Sequence, residues 1–402
     1  MLFLFRPLLL VLLSVLATIC APGSPPRAAA PPASKAGLRM GAEQLERYLP
    51  QLRGRRVGLV VNQTSRVGRA HLVDTLLALG VNVAAIFAPE HGFRGEAADG
   101  ATIRDGRDER TGRPVRSLYG KTKKPTPEML ADVDVLVFDI QDVGARFYTF
   151  ISTLHYVLEA AAERQKPVIL LDRPNPNGAF VDGPVLEPAH RSFVGLDLLP
   201  IVHGLTMGEM AKMLNGEKWL AGGTQCRLTV VSVAGGYTHA TPYALPVRPS
   251  PNLPTARAVA LYPSVCLFEG TNVSVGRGTD TPFEVFGAPT QPATQPYSFT
   301  PRPNAGSPSP PLNGQLCYGL NLHAPPADEP TGFTLKYLLD FYHQSTDKPH
   351  FFSKYFEELS GTDSLRAQVI AGRSEAQIRA SWEPRLGNFK KLRRRYLLYP
   401  ER

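Results

Sequence analysis

The sequence predicts an α/β fold, in which a Rossmann-like parallel-sheet N-terminal domain precedes a smaller mixed α+β C-terminal domain. Three observations favour this class: short apolar strands, helices that alternate with those strands, and polar residues directly after each strand. Strands buried on both faces are continuous apolar runs, and their alternation with helices is typical of parallel βαβ units. We therefore predict the first domain at residues 38–205 and the second at residues 206–402.

The elements of the first domain each carry a local signal. Runs of valine, isoleucine and leucine predict strands, and a glycine marks the place where a helix stops. In chain order these signals predict strands at 57–61, 81–87, 133–139 and 167–171, and helices at 70–79 and 150–164.

The second domain is predicted from helix caps and loop composition. Thr206 with Glu209 and Ser374 with Gln377 form capping-box patterns, and each pattern predicts the start of a helix. Proline, serine and threonine dominate residues 289–311, which predicts an exposed loop. The remaining predictions are a strand at 228–233, a helix at 335–342 and a closing strand at 396–399.

With 43% hydrophobic and 20% charged residues, the chain of 402 residues has the composition of a folded protein and not of a disordered one. Its formal net charge is +9, but the positive residues are mostly scattered, which argues against a nucleic acid partner. The exception is residues 390–395, where all but one position is Lys or Arg. This cluster predicts either a solvated helix end or a contact for an acidic polymer.

Residues 1–34 have the features of a secretory signal peptide followed by a Pro/Ala linker. Arg6 precedes an apolar run that is too short to span a membrane comfortably, and alanines and prolines follow it. We expect export to the periplasm or the extracellular space without a stable membrane span, with lipid attachment at Cys20 as the alternative. Cleavage leaves three cysteines, which we expect to be buried free thiols: Cys226, Cys266 and Cys317.

Polar side chains follow all four predicted strands of the first domain. In open parallel sheets, ligands bind beyond the carboxyl ends of the strands, and these ends share one edge. Four polar strand ends in a row therefore predict a binding site. Its residues are Asn62, Gln63 and Thr64 after the first strand, Glu90 and His91 after the second, Asp142 after the third, and Arg173 and Asn175 after the fourth.

Several common kinds of site lack their sequence signatures. No G-x-G-x-x-G or G-x-x-x-x-G-K pattern follows the first strand, which argues against a dinucleotide or ATP site. Neither G-x-S-x-G nor H-E-x-x-H occurs, so a serine hydrolase and a metalloprotease are also disfavoured. We predict neither a cofactor nor a metal ion, and carboxylate chemistry remains.

Glu90 is the carboxylate best placed for glycoside hydrolysis, which needs a proton donor beside the leaving oxygen. It follows an apolar strand, Pro89 restricts its approach, and Gly92 lets a sugar lie close to the backbone. The alternative is that Glu90 caps backbone amides at the start of a helix.

Eight motifs, in order, connect the chain to a known family. They are GLVVNQT (58–64), FAPEHGFRG (87–95), SLYG (117–120), DVLVFDIQDVGARFYT (134–149), LDRPNPNG (171–178), PSPNLP (249–254), LFEGTN (267–272) and GRGT (276–279). With these motifs, the chain resembles the exo-β-N-acetylmuramidase family, formerly a domain of unknown function, from about residue 38 to the end.

The resemblance implies a Rossmann-like domain joined to a smaller domain, with the active cleft between them. It implies removal of N-acetylmuramic acid (MurNAc) from the non-reducing ends of peptidoglycan fragments, that is, MurNAc–GlcNAc oligosaccharides, in cell-wall turnover or recycling. The family's proposed catalytic acid falls on Glu90 in this sequence. The main rival hypothesis is an exported sugar-binding protein without catalysis, since two domains around a cleft also suit a receptor.

The other site residues are inferred from their chemistry. Asp142, Asp139, Glu269 and Glu284 are candidates for the second catalytic group, and the substrate's own acetamido group is the alternative nucleophile. Arg146 or Arg277 is expected to pair with the lactyl carboxylate of MurNAc, unless each only braces its loop. His91 either orients Glu90 or packs. The further substrate-binding candidates are Asn62, Gln63, Thr64, Tyr148, Arg173, Asn175, Asn272 and Glu284.

Overall fold

Strands form where apolar runs occur in the sequence, and helices cover them. The computed structural model describes residues 37–94, 105–327 and 329–402, so the predicted signal peptide, linker and Cys20 lie outside the described residues. The strands are β1 (Val57–Val61), β2 (Arg66–Val67), β3 (Ala70–His71), β4 (Val83–Ala88), β5 (Gly106–Arg107), β6 (Pro114–Ser117), β7 (Val135–Asp139), β8 (Val168–Leu171), β9 (Asp182–Val185), β10 (Pro200–Val202), β11 (Leu228–Val231), β12 (Val285–Ala288), β13 (Tyr297–Phe299) and β14 (Cys317–Asn321). The α-helices are α1 (Leu45–Leu52), α2 (Leu72–Ala78), α3 (Phe150–Glu163), α4 (Met207–Gly216), α5 (Ala256–Val265), α6 (Lys336–Gln344), α7 (Phe356–Ser360), α8 (Ser364–Ile370) and α9 (Glu375–Arg393). Short 3-10 helices lie at Gly41–Glu43, Glu128–Leu130, Pro188–His190, Ala221–Gly223, Cys266–Gly270, Lys348–His350 and Arg394–Tyr396.

The largest sheet in the described part of the chain has seven strands in the order β11-β8-β7-β1-β4-β6-β5. Its central strand, β1, pairs in parallel with both neighbours, with Leu59 beside Ile86 of β4 and Val137 of β7. The other pairs in this sheet are parallel except β5 with β6. The carboxyl ends of β1, β4, β7 and β8 therefore meet at one edge, and the predicted α/β fold is confirmed.

Helices cover both faces of this sheet, as a parallel sheet requires. Leu59 belongs to the apolar cluster that contains α1 and α2, whereas its neighbour Val60 belongs to the cluster that contains α3. Gly58 leaves room for close packing, because a Cβ at this position would lie 2.8 Å from the Phe87 ring and 2.9 Å from Leu136. The same cluster that contains α3 continues into the C-terminal helices, so one core joins the two parts.

The large sheet extends beyond the first predicted domain. The strand predicted at 228–233 is β11, and it pairs in parallel with β8, with Leu228 beside Val168. The sequence assigns this strand to the second domain, whereas the structure places it at the edge of the large sheet. The boundary near residue 205 stays a prediction, and Leu38–Arg402 form one compact unit.

The C-terminal part contains an antiparallel sheet in the order β12-β14-β13, packed with helices. Aromatic rings dominate this packing: Phe268 and Phe286 stack with centroids 5.2 Å apart, and Phe341 contacts both rings. Both predicted capping boxes are present, with Thr206 before α4 and Ser374 before α9. These two helix starts are therefore confirmed.

The closing strand predicted at 396–399 is wrong, because these residues form a 3-10 turn and irregular chain. Tyr399 instead anchors the C-terminus through its side chain. Its hydroxyl donates to the buried carboxylate of Asp172 at 2.6 Å and accepts from the N–H of Val233 at 2.8 Å. Burial raises the pKa of Asp172 to about 6. Side-chain hydrogen bonds thus hold a segment whose apolar pattern resembles a strand.

The three predicted thiols behave as expected. Cys226, Cys266 and Cys317 are free and buried, which confirms the prediction. Burial raises the pKa of Cys226 to about 12 and that of Cys317 to about 11, so these two thiols carry little nucleophilic thiolate. In the described residues, no helix combines the length and the apolar character needed to cross a membrane.

Candidate active site

Glu90 lies on a strained turn at the carboxyl end of β4. The carbonyl of Pro89 accepts from the N–H of Gly92 at 3.0 Å, which closes the turn. His91 has a φ of 67°, a left-handed conformation that costs a non-glycine residue about 1–3 kcal/mol. Because His91 and Phe93 are both buried, the fold holds this conformation in place. The half-buried Glu90 is thereby presented at the edge of the sheet.

The carboxylate of Glu90 is oriented by Thr149, whose Oγ1 donates a 2.6 Å hydrogen bond to Glu90 Oε2. Thr149 directly precedes α3, so a 14-residue helix fixes its position. The N-terminus of a helix carries partial positive charge, which also favours a carboxylate here. Thr149 is therefore a positioning residue for Glu90.

Replacing Thr149 with valine should lower kcat about tenfold, because a misplaced acid reacts less often, while KM should change little. Steady-state kinetics on a MurNAc-terminated disaccharide measure both constants. Thr149→Ser keeps the hydroxyl and should retain most of the activity.

A double-mutant cycle separates positioning from general damage to the fold. If Thr149 acts through Glu90, Thr149→Val should cause no further loss in a Glu90→Gln background. A tenfold loss that persists in that background would contradict the positioning role.

Glu90 lines a cavity of about 970 Å³ formed by residues from both parts of the chain. Ligand pockets commonly have volumes of about 300–1,000 Å³, so this cavity has room for more than one sugar ring. Its lining combines carboxylates, cations, hydroxyl groups and aromatic rings. The lining residues are Glu90, His91, Tyr119, Gly120, Lys123, Phe147, Tyr148, Thr149, Phe193, Val194, Ser250, Leu253, Tyr262, Glu269, Thr271, Val273, Val275, Arg277, Ser307, Pro308, Ser309, Pro311 and Tyr355.

Glu269 is a second carboxylate in this cavity. Arg277 Nε donates to Glu269 Oε1 at 2.6 Å, and Cys266 Sγ donates to Oε2 at 3.4 Å. The Arg277 guanidinium also lies 5.3 Å from the centre of the Phe283 ring. The contact of Arg277 with Glu269 is a charge-assisted hydrogen bond, which fixes the position of the carboxylate. Glu269 therefore suits a base, a nucleophile or a stabiliser of positive charge.

The structure brings together only part of the predicted site. Five of the predicted residues line the cavity: Glu90, His91, Tyr148, Glu269 and Arg277. Ten of the predicted residues that the structure describes do not line it: Asn62, Gln63, Thr64, Asp139, Asp142, Arg146, Arg173, Asn175, Asn272 and Glu284.

A buried polar network fills the central crevice at the carboxyl ends of β1, β7 and β8. Arg173 forms a two-pronged ion pair with Asp139, with N–O distances of 2.5 and 2.8 Å. Asn62 Oδ1 accepts from the N–H of Thr64, and Thr64 Oγ1 accepts from the N–H of Gln141. Hydrogen bonds within the protein thus occupy Asn62 Oδ1 and Thr64 Oγ1, and a role for these residues in binding sugar hydroxyls stays a prediction.

Other predicted residues also bond within the protein. Asp142 accepts from the N–H of Gly144 at 2.7 Å and lies 3.4 Å from His203 Nε2, so it is not placed to act in the cavity. Glu284 is fully buried. Its carboxylate bonds to Thr255 and His323. The side-chain amide of Gln63 donates to the carbonyl of Pro249, and that of Asn175 donates to the carbonyl of Leu205. The backbone N–H of Asn272 donates to the carbonyl of Phe351.

Arg146 also bonds within the protein, outside the cavity. Its side chain is fully buried, and its guanidinium donates to three backbone carbonyls, of Pro184, Leu199 and Leu359, at 2.7–3.0 Å. Burial lowers the pKa of Arg146 to about 9. The guanidinium thus ties three chain segments together, which favours the bracing alternative over the lactyl contact.

Replacing Arg146 with methionine should lower the free energy of unfolding by about 3 kcal/mol or more, because three buried carbonyls lose a charged donor. Chemical denaturation measures this loss. The KM of any folded variant should stay near the wild-type value. A stable variant with a raised KM would indicate a substrate contact instead.

Several lining residues were missed by sequence reasoning. Thr149, Tyr119 and Ser250 lie inside the matched motifs, so motif membership was a signal for them. Lys123 and Phe193 carried no signal, because they come from segments outside the motifs. The loop predicted at 289–311 contains β13 and supplies Ser307, Pro308, Ser309 and Pro311 to the cavity wall.

The site offers the groups that glycoside hydrolysis needs. Glu90 and Glu269 supply two carboxyl groups in one cavity, and aromatic side chains supply surfaces on which sugars pack. No group of three or more His, Cys, Asp or Glu in the described part of the chain is arranged to hold a metal ion.

Two family models match consecutive parts of the chain. The model of the N-terminal part of exo-β-N-acetylmuramidase NamZ matches residues 57–257, and that of the C-terminal part matches residues 260–399. The chain is also similar to a Bacillus subtilis (strain 168) protein named peptidoglycan β-N-acetylmuramidase NamZ. The two are 39% identical over 415 aligned residues, which cover 96% of this chain and 97% of the relative.

Two crystal structures from Bacteroides fragilis NCTC 9343, both described as DUF1343 family proteins, share this fold. The first has a TM-score of 0.84 and 44% identity, and the similarity covers 91% of this chain and 100% of that one. The second has a TM-score of 0.77 and 32% identity, over 90% of this chain and 99% of that one.

Proposed function

Because this chain belongs to the exo-β-N-acetylmuramidase NamZ family and is a glycoside hydrolase, we propose that it releases MurNAc from the non-reducing ends of peptidoglycan fragments. The observation that carries the proposal is the pairing of two differently held carboxyl groups in one large cavity. Glu90 is bonded to a neutral hydroxyl, and Glu269 is bonded to a guanidinium. The two family models and the Bacillus subtilis relative confirm the family resemblance that the motifs indicate.

The two environments suggest different roles for the two carboxyl groups. A neutral hydroxyl can accompany either protonation state of Glu90, so Glu90 can give a proton to the glycosidic oxygen and take one back. Glu269, held in place by a guanidinium, can stabilise positive charge at the anomeric carbon or activate the group that attacks it. Together these roles describe acid-assisted glycoside cleavage.

Two disaccharides of opposite order test the reaction and its exo character. The purified protein should release MurNAc from MurNAc-β-1,4-GlcNAc and leave GlcNAc-β-1,4-MurNAc intact, because only the first has a terminal non-reducing MurNAc. Reducing-sugar chromatography with a mass readout identifies the products. Binding of MurNAc-terminated fragments without any cleavage would overturn the hydrolase proposal and favour the sugar-binding alternative.

We also propose that the protein works after export, in the turnover or recycling of wall material in the periplasm or outside the cell. The proposal is supported by the signal-like composition of residues 1–34 and by the nature of the substrate. Intact-mass measurement of the chain purified from the extracytoplasmic fraction tests it. An unprocessed chain found only in the cytoplasm would contradict export, and a diacylglycerol adduct at Cys20 would favour the anchored alternative.

A further inference from the structure

Part of the cavity is lined by two segments that place a cation above an aromatic ring. The Lys123 ammonium lies 4.4 Å from the centre of the Phe193 ring, and both residues line the cavity. Phe193 is itself supported by Tyr119, 6.1 Å away, and by Tyr156, with which it stacks at 6.3 Å and 9°. We call Tyr119, Phe193 and Tyr156 the aromatic wall.

The segment that carries Lys123 is anchored by the next residue. Lys124 Nζ lies 2.6 Å from carboxylate oxygens of both Glu159 and Glu163, which belong to α3. Lys124 is thus held against the helix, while Lys123 lines the cavity. Two adjacent lysines therefore have different roles, and the position of Lys123 is set by the fold.

The loop that carries Phe193 is anchored to the same helix. Ser192 and Gly195 exchange two backbone hydrogen bonds at 3.0 and 3.1 Å, which leaves Phe193 at the tip of a tight loop. Asp197, just beyond it, bonds to Nδ1 of the buried His155 of α3 at 3.1 Å. Because Thr149 precedes α3 and bonds to Glu90, one helix positions the acid and both segments around Lys123.

Among the described residues that line the cavity, Lys123 is the cation without a carboxylate partner. Among the cavity-lining residues that the structure describes, the lysine and arginine side chains are those of Lys123 and Arg277. Arg277 is paired with Glu269, which neutralises it and would repel a second carboxylate. No carboxylate in the described residues pairs with Lys123. A ring face attracts the ammonium without neutralising its charge, so N–H groups remain for an acceptor.

We propose that Lys123 binds the lactyl carboxylate of the terminal MurNAc and so favours this acidic sugar over neutral sugars of the same shape. The proposal rests on the proposed function. It identifies the side chain that recognises the lactyl carboxylate, the group by which MurNAc differs from GlcNAc. The same ammonium chemistry also suits a carboxylate of a stem peptide, and the substrates below separate the two sources.

The test compares an acidic substrate with a neutral analogue of the same shape. The acidic substrate is MurNAc-β-1,4-GlcNAc, and the neutral analogue carries a carboxamide in place of the lactyl carboxylate. The wild type should prefer the acid about fivefold in kcat/KM, as expected for an ion pair near the surface. Lys123→Met should lower kcat/KM about fivefold for the acid and leave the amide nearly unchanged. Lys121→Met removes the same charge from an exposed neighbour outside the cavity and should keep the wild-type ratio.

Each other outcome argues against the proposal. If Lys123→Met keeps the wild-type ratio of kcat/KM between the acid and the amide, or loses kcat/KM equally on both, Lys123 does not recognise the carboxylate. A loss confined to a muropeptide, whose lactyl group is already an amide, would assign the ammonium to the peptide instead. If the wild type cleaves neither disaccharide, the proposed function fails. The dissociation constants of MurNAc and its amide, measured by calorimetry on the same three proteins, then decide the role of Lys123.

Discussion

Replacing Glu90 with glutamine is expected to reduce kcat on MurNAc-β-1,4-GlcNAc by about 100-fold or more, the usual contribution of a general acid. The amide has the same shape and its oxygen still accepts the hydrogen bond from Thr149, so the site should keep its geometry. It has no proton to give to the leaving oxygen. KM should therefore stay within about threefold of the wild-type value, and the loss should appear in kcat.

The leaving group provides the sharper test of this role. In a 2,4-dinitrophenyl glycoside of MurNAc, the dinitrophenolate leaves without being protonated. The Glu90→Gln variant should therefore lose about tenfold or less of its kcat on this substrate. Glu46→Gln, an exposed glutamate outside the cavity, is the matched control and should be active on both substrates. Equal losses on the two substrates in the Glu90 variant would mean that Glu90 supports the site without donating the proton.

The fold could be predicted where the sequence signal is local. β1, β4 and β8 are apolar over their whole lengths, and β7 up to its last residue, Asp139, because both faces of the sheet are covered; such runs have few other interpretations. Residues 396–399 show the opposite case. Their pattern of aromatic and apolar residues resembles a strand, but the Tyr399 hydroxyl bonds to Asp172, far away in the sequence. That contact depends on the completed fold.

The candidate site could be predicted less completely, and the reason is physical. Polar residues at strand ends serve two competing purposes, ligand binding and the satisfaction of buried backbone and charge. Glu90 lines the cavity, whereas Arg173 pairs with a buried charge, although both follow apolar strands. Only the partner distinguishes them: Asp139 reaches Arg173 from the neighbouring strand β7. Pairing between neighbouring strands is visible in the structure and not in a single sequence.

The second catalytic group illustrates the same limit. Four carboxylates are candidates for this group, and the sequence does not favour any one of them over the others. Asp139 is bound by Arg173, Asp142 serves the loop after β7, and Glu284 is fully buried. Glu269 is the candidate that lines the cavity with Glu90, and its ion pair with Arg277 holds it in place. The structure thus reduces four candidates to one that can be tested.

Replacing Glu269 with glutamine should lower kcat by about 100-fold or more, because the variant loses the negative charge that either activates the attacking group or stabilises the oxocarbenium-like transition state. The loss should persist on the dinitrophenyl glycoside, since this leaving group relieves only the need for an acid. The two variants therefore differ in a predictable way: the Glu90 variant is rescued by the better leaving group, and the Glu269 variant is not.

The stereochemistry of the product then defines what Glu269 does. Proton NMR of freshly released MurNAc shows the anomer: an α-product indicates inversion with Glu269 as the base, and a β-product indicates retention, by Glu269 or by the acetamido group as nucleophile. Glu329→Gln is the matched control, because Glu329 is also a partly buried glutamate bonded to an arginine, Arg257, but lies outside the cavity. If Glu269→Gln loses no more activity than this control, the charge of Glu269 does not take part in the chemical step, and the acetamido group acts without its help.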